Sequence, residues 1–473
     1  MNTPAQTPIS ELQPTLARLR AAQRDKVPDH AQRMDDLARL RRVFKARLED
    51  MARAIADDFG HRSRHETLVS DGMTVLAEID VMRRHLREWM RAQRRPVDAM
   101  FLPARAEVRI QPLGVVGIIS PWNYPVNLAL MPLVTAIAAG NHVYLKPSEH
   151  TPRSSAFLRD LLREVFPEDR VAVALGGSEV AAAFAGLAFD HLLFTGSTPV
   201  GRKVMAAAAA NLTPVTLELG GKSPAIIGPG YPLAKAAARI AAGKFLNAGQ
   251  TCIAPDYVLV AKAERDGFVA ALRREVAARY PTLDDNPDYT RIVNEGQFRR
   301  LRGYLDEARA RGHQVIALAP VDPARAEAER IVPPTVVLDP GNDSALLHDE
   351  IFGPILPVIG YGHFDEAIAC VNGHDRPLAL YVFDNDRARV EQVLERTIAG
   401  GVTVNDTVMH IAQASLPFGG IGPSGMGHYH GRDGFMAFSK QKPVFYQSRI
   451  TGMDWFKPPY RGFADRLVKF LTR

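Results

Sequence analysis

The stretch from Val115 to Leu219 constrains the fold of this chain more than any other. Apolar runs at Val115–Ile119, Val143–Leu145, Val171–Ala174, His191–Phe194 and Val215–Leu219 alternate there with segments of helical length. Those segments are Ala129–Ala139, Ser154–Val165, Glu179–Phe184 and Val200–Ala210. Val115–Ile119 and Val143–Leu145 are apolar throughout rather than at every second residue, so both faces of those strands need cover. Strands of that kind joined by helices make a parallel sheet with helices on both sides. A second alternating unit runs from Ser223 to Asn405, with strands expected at Tyr257–Val260, Ile355–Ile359, Leu380–Phe383 and Val402–Val404. The fold class is therefore α/β with two parallel sheets, and 473 residues are too many for one ordinary domain.

The remaining segments read differently. From Ile9 to Ala92 apolar residues recur at three and four, as in Leu37, Leu40, Val43, Phe44 and Leu48, which predicts helices. Pro96–Gln111 reads as an extended hairpin built from Ala99–Leu102 and Glu107–Ile110, and Lys442–Gln447 as one more extended piece. Gly419–Gly434 is glycine-rich and is expected to be an irregular loop. No internal repeat is visible.

Two cysteines give no disulfide framework, which fits a reducing cytoplasm. The net charge of +6 comes from dispersed Lys and Arg, without a basic run or an aromatic ladder, so a nucleic-acid partner is not expected. Met1–Lys26 has no apolar core of a signal peptide, and no apolar stretch is long enough to span a bilayer. At the other end, Phe463, Leu467 and Leu471 recur at helical spacing among Arg461, Arg466, Lys469 and Arg473. This basic amphipathic helix is expected to dock on its own protein, with a membrane surface as the competing partner.

The chemistry concentrates in a few places. Cys252 follows Asn247-Ala248-Gly249-Gln250-Thr251 and precedes Ile253-Ala254-Pro255-Asp256, a loop setting that suits a nucleophile as well as a buried structural thiol. Cys370, inside Ala367-Ile368-Ala369-Cys370-Val371, reads as structural. Glu218 stands in an apolar strand before Gly220-Gly221, where burial raises a carboxyl pKa and makes a general base. Pro121-Trp122-Asn123-Tyr124-Pro125 follows the end of a strand, and ligands of open α/β sheets bind at such ends. Asn123 is a turn residue or an amide donor to an oxyanion. Lys146 and Glu149 end another strand, as an ion pair or as a grip on ribose hydroxyls. Gly196 and Ser197 open a helix whose amides suit a phosphate. Gly221-Lys222-Ser223 lacks the earlier glycine of a phosphate loop. His428-Tyr429-His430 lacks accompanying ligands, so no metal site is expected.

Pro121–Pro125, Leu145-Lys146-Pro147-Ser148-Glu149, Phe194–Thr198, Leu217–Lys222, Gly249–Cys252 and Glu350-Ile351-Phe352-Gly353-Pro354 together resemble the aldehyde dehydrogenase superfamily, in its order and spacing. Leu416–Gly431 resembles the class 3 branch, and within it the bacterial coniferyl aldehyde dehydrogenases. The resemblance implies two Rossmann-like parallel-sheet domains plus a bridging, oligomerising arm. Residues 1–95 and 112–219, with part of 406–436, would form the NAD(P)-binding domain. Residues 220–405 would form the catalytic domain, 96–111 and 437–450 the arm, and 451–473 a tail. A homodimer is implied, held by the arm. Cys252, Glu218 and Asn123 would be catalytic, as nucleophile, water-activating base and oxyanion donor. Trp122, Lys146, Glu149, Gly196, Ser197, Leu219, Glu350 and Phe352 would contact the cofactor. That cofactor is NAD by implication of Glu149, with NADP also acceptable in this branch. The substrate implied is an aromatic aldehyde such as coniferyl aldehyde, or a medium- to long-chain aliphatic one. Competing readings are a CoA-acylating dehydrogenase, which Glu218 opposes, a nicotinamide-independent cysteine hydrolase, and a non-catalytic structural protein.

Overall fold

The computed structural model describes residues 6–451, 457–460 and 462–472. Helices fill the N-terminal region from Ile9 to Trp89, and β1 (Gln93–Arg95) then pairs antiparallel with β2 (Arg105–Pro112). The run Ala99–Leu102, expected as strand, is instead a 3-10 turn at Ala99–Phe101 that joins them. The hairpin thus starts earlier than its apolar residues suggest, because Gln93–Arg95 pairs through backbone alone and carries no apolar signal.

The first parallel unit contains β3 (Val115–Ile119), β4 (His142–Lys146), β5 (Val171–Val173), β6 (His191–Gly196) and β7 (Val215–Leu219). Every residue of β3 and β4 is buried, as the apolar runs Val115–Ile119 and Val143–Leu145 require. The helix Asn127–Ala139 between them is buried on nearly all sides. From β3 the chain moves outward to β4 and β5, then returns to the other side of β3 for β6 and β7. That reversal opens a crevice beyond the carboxyl ends of β3 and β6.

The second unit comprises β8 (Pro224–Ile227), β9 (Tyr257–Ala261), β10 (Gln314–Ala317), β11 (Thr335–Leu338), β12 (Ile355–Tyr361), β13 (Ala379–Phe383) and β14 (Gly401–Val404). Its order is β10-β11-β12-β9-β8-β13-β14, parallel except for β10. The strands β8, β10 and β11 are too short for periodicity to separate them from loops.

The glycine-rich segment 419–434 is not wholly irregular. Gly425–Met426 forms β15, antiparallel to Leu217 and Glu218 of β7, and a helix begins at Gly431. Gly425 has φ +143, and a Cβ there would lie 2.1 Å from the Leu217 carbonyl, so only glycine lets the two backbones meet. Finally β16 (Ser439–Tyr446) joins β2, with Ser439 opposite Pro112 and Tyr446 opposite Arg105. The tail forms the expected helix, Gly462–Leu471. Among its described side chains Ala464 is buried and Leu467 half-buried, while Phe463, Val468 and Phe470 are exposed, so docking of the apolar stripe is incomplete in one chain. Arg461, Arg473 and the side chain of Leu471 lie outside the described residues. Among the described residues no helix is long and apolar enough to cross a membrane.

Candidate active site

A cavity of about 440 Å³ opens beyond the carboxyl ends of β3, β4, β6 and β7. Its lining includes Trp122, Asn123, Lys146, Glu149, Gly196, Ser197, Glu218, Leu219, Cys252, Glu350 and Phe352. Every residue expected to be catalytic or to contact the cofactor therefore faces one space, although together they span nearly half of the chain.

Cys252 is half-buried at the end of a distorted segment. Asn247, Ala248 and Gly249 take φ of +52, +51 and +75 in succession. Such angles cost a non-glycine residue on the order of 1–2 kcal/mol. Hydrogen bonds hold the distortion. The Asn247 amide donates to Glu66 (3.0 Å), its Nδ2 to the carbonyls of Asn123 (2.9 Å) and Gln250 (3.1 Å), and Gln250 Nε2 donates to the carbonyls of Asn247 and Arg291. Gly249 fits against Gly353, whose carbonyl oxygen would lie 2.3 Å from a Cβ. Burial, with the charges of Glu350 and Glu218, pushes the Cys252 thiol up to about 12, against the pull of the Cys252 and Ile253 amides. The resting group is a thiol, and ionising it requires a base or a bound electrophile.

Glu218 is 3% exposed, and neither carboxylate oxygen has a hydrogen-bond partner among the described residues. Burial raises its pKa well above the usual carboxylate range. Asn123 is equally buried, and its Nδ2 donates to the Gln250 carbonyl at 3.1 Å.

The opposite half of the cavity is built for hydrogen bonding. Lys146 is buried and reaches Glu149 Oε2 at 2.7 Å. Partial burial pushes the Glu149 carboxyl up, but Lys146, its own amide and His150 outweigh it and leave the group below its ordinary value. Ser197 precedes the helix Thr198–Ala209. Glu350 lies against Gly220, where a Cβ would come within 2.1 Å of its carboxylate. Burial, then the nearby Asp256 charge, raises Glu350 to about 8, opposed by the Gly221 amide, Lys222 and Arg300. Phe352 meets Trp122 edge-on, with ring centroids 5.3 Å apart. Ser120 Oγ, Thr195 Oγ1 and Glu350 Oε1 are buried without partners among the described residues.

Several supporting residues are given no role by the sequence. Lys222, set aside as a phosphate-loop decoy, binds the Asp256 carboxylate and the carbonyls of Leu346 and Asp349 (both 2.8 Å). Asp256 in turn accepts from the Ile351 amide, next to Glu350. Arg300 donates to the carbonyls of Glu350 (3.3 Å) and Ile351 (2.8 Å). No local pattern marks these residues, because each is tied to a partner far away in sequence. Cys370 sits half-buried in the helix Phe364–Asn372 and does not line this cavity.

The family model for the aldehyde dehydrogenase family matches residues 16–444. This chain belongs to that family. It is an NAD(P)-dependent aldehyde dehydrogenase. A probable coniferyl aldehyde dehydrogenase of Pseudomonas aeruginosa is 50% identical over 466 residues, covering 98% of this chain and 97% of that protein. The coniferyl aldehyde dehydrogenase of Pseudomonas sp. strain HR199 is 48% identical, covering 88% of this chain and 86% of its own. A substrate-bound aldehyde dehydrogenase of Staphylococcus aureus superposes with a TM-score of 0.93 at 35% identity, covering 99% of this chain and all of that one.

Proposed function

We propose that this dehydrogenase oxidises a hydroxycinnamyl-type aromatic aldehyde such as coniferyl aldehyde, with Cys252 as nucleophile, Asn123 as oxyanion donor and Glu218 as hydrolytic base. The observation that carries the reading is the single cavity on which Cys252, Asn123 and Glu218 converge with Lys146, Glu149, Glu350 and Phe352. The substrate class rests on the relatives named for it, at 48–50% identity.

The Cys252 thiol gives up its proton to water, its sulfur bonds to the aldehyde carbon, and the carbonyl electron pair moves onto oxygen. Asn123 Nδ2 and the Cys252 amide stabilise that oxyanion, a single such donor being worth about 3 kcal/mol. The bound nicotinamide supplies the acceptor for the hydride that leaves carbon as the carbonyl re-forms. Cys252 then carries a thioester. Glu218 takes a proton from water, the oxygen bonds to the acyl carbon, and the thiolate departs with the sulfur–carbon electron pair. A buried carboxylate with no competing hydrogen bond is well suited to that proton.

The residues present fit a dinucleotide. The unpartnered oxygens of Ser120, Thr195 and Glu350 provide hydrogen-bonding groups, and Gly220 leaves room that a Cβ would fill. Lys146, Glu149 and Glu350 would hold the riboses, Gly196 and Ser197 the diphosphate, and Trp122, Leu219 and Phe352 the nicotinamide end. Glu149 beside Lys146 favours NAD over NADP, because a carboxylate accepts from ribose hydroxyls and repels a 2′-phosphate.

Residues 1–95, 112–219 and part of 406–436 serve as the cofactor domain, and 220–405 as the catalytic domain. The arm, 96–111 and 437–450 with β1 (Gln93–Arg95) as its third strand, pairs two chains into a homodimer. Its exposed Met100, Leu102, Phe445 and Ile450 support this, as does the open edge of β16. Two unpaired thiols fit a cytoplasmic setting.

The test is a panel of cinnamyl, benzyl and C6–C16 aliphatic aldehydes with NAD or NADP, followed by reduced-nicotinamide absorbance, with and without CoA. Highest kcat/KM on the hydroxycinnamyl compounds with NAD, unchanged by CoA, is expected. Preference for long aliphatic chains would refute the substrate class, and dependence on CoA would refute hydrolysis by Glu218.

A further inference from the structure

Arg62 lies on no motif and outside the cavity lining, yet its guanidinium is wholly buried beside the oxyanion residue. Nη1 donates to the Asn123 carbonyl at 3.0 Å, and Nη2 pairs with Asp71 Oδ2 at 3.1 Å. The other Asp71 oxygen accepts from the amides of Val126 (3.2 Å) and Asn127 (3.0 Å), where the helix Asn127–Ala139 begins. One buried ion pair therefore grips the 123–127 loop at both ends. Asp71 itself sits in a π-helical turn, Leu68–Met73, a local departure from α geometry that recurs at functional sites.

The guanidinium also lies over the rings of Phe59 (5.2 Å) and Tyr124 (4.8 Å). The Tyr124 hydroxyl meets Thr251 Oγ1 at 2.6 Å, next to Cys252. Asn247 Nδ2 supplies a second donor to the Asn123 carbonyl at 2.9 Å. With both lone pairs of that carbonyl engaged, the Asn123 peptide is fixed. Its side-chain amide has two N–H groups. One is committed to the Gln250 carbonyl, which orients the amide plane, and the other remains for substrate oxygen.

We propose that Arg62 is a positioning residue for the oxyanion site: through the Asn123 carbonyl it sets where the Asn123 amide meets the developing charge. Preorganised donors stabilise a transition state only if held in place before the charge appears. The proposal rests on the reading of Asn123 as oxyanion donor, and a double-mutant cycle separates the two.

Asn123→Ala alone should slow the NADH burst by about 10²–10³-fold. An unchanged burst would sink the oxyanion assignment itself. Arg62→Lys keeps a cation for Asp71 but loses the two-way fork. It should slow the burst about tenfold, with NAD affinity and the rate of Cys252 alkylation unchanged. In the Asn123→Ala background the same change should add nothing further, because the donor it positions is gone. Equal losses in both backgrounds, or no loss in the first, would overturn the positioning role. Should Arg62→Lys fail to fold, Asn247→Gly reads the same carbonyl. Glycine accepts φ +52 while the second donor is removed, and the same non-additive pattern is expected. Additivity there, with the rate of Cys252 alkylation unchanged, would overturn the proposal equally.

Discussion

Replacing Glu218 by Gln separates the two halves of the reaction. The side chain sits in β7 between β6 and β15, is 3% exposed, and has no hydrogen-bond partner among the described residues. Gln has the same shape and cannot take a proton from water. Loss of a general base slows a step by about 10²–10⁴, or about 3–5 kcal/mol of barrier, and that step is thioester hydrolysis. In the proposed mechanism, attack by Cys252 and hydride loss do not use the carboxylate. Rapid mixing with aldehyde and NAD should therefore show a burst of one NADH per site, followed by turnover reduced 10²–10⁴-fold.

The pH dependence has a definite sign. Burial raises the Glu218 pKa above the usual carboxylate range, so steady-state turnover should climb with pH as the group ionises. The Gln variant should lack that slope. Stability should move oppositely. A carboxyl whose pKa is raised by folding opposes folding once the unfolded chain has ionised it, so the Gln variant should match wild type near pH 4.5 and exceed it at pH 9. A burst lost along with turnover would refute the division of labour and place Glu218 at deprotonation of Cys252. A variant less stable than wild type at pH 9 would refute the picture of an unpaired buried carboxylate.

Other consequences are equally direct. Cys252→Ser should abolish oxidation while NAD still binds, whereas Cys370→Ser, outside the cavity, should keep near-normal turnover; steady-state rates and a cofactor titration check both. Glu149→Gln should raise NADP efficiency relative to NAD by about tenfold, read as the ratio of the two kcat/KM values. Burial raises Glu78 to about 7, opposed by the Gly431 amide at 3.0 Å and by Thr135, so folding stability should fall by about 3 kcal/mol between pH 4.5 and 8. Denaturant titrations of Glu78→Gln should show a fall smaller by that amount. Deleting 463–473 should lower the melting temperature or weaken the dimer if the exposed Phe463, Val468 and Phe470 pack on a second chain. Unchanged stability with lost sedimentation on anionic vesicles would instead assign the helix to a membrane surface.

The parallel sheets were legible because strands buried on both faces need apolar interiors, and β3 throughout, β4 at Val143–Leu145 and β6 at Leu192–Phe194 have them. The arm was only half legible. In β1 the residues Gln93–Arg95 pair by main chain alone, while the apolar Ala99–Phe101 that imitates a strand is a turn. Gly425–Met426 was hidden for the opposite reason. Its glycines read as loop, yet glycine is what the close approach to Leu217 requires. In both places composition signals side-chain burial, whereas the structure is decided by backbone contact.

The same divide runs through the site. Cys252, Glu218 and Asn123 stand out because each is a chemically apt residue at the end of a legible element. The groups that hold them do not. Arg62 reaches Asn123 across 61 positions, Glu66 reaches Asn247 across 181, and Lys222 reaches Asp256 and Leu346 across 34 and 124. No periodicity links residues so far apart, and a lone Arg, Glu or Lys in a helix or loop looks like solvated surface until its partner is known. The fold converts them into necessities. Asn247 and Ala248 are held in left-handed backbone just before the nucleophile, and only bonds arriving from elsewhere in the chain can sustain such strain. The residues proposed to react are thus the readable part of this site, and their placement rests on distant buried charges that only the folded chain brings together.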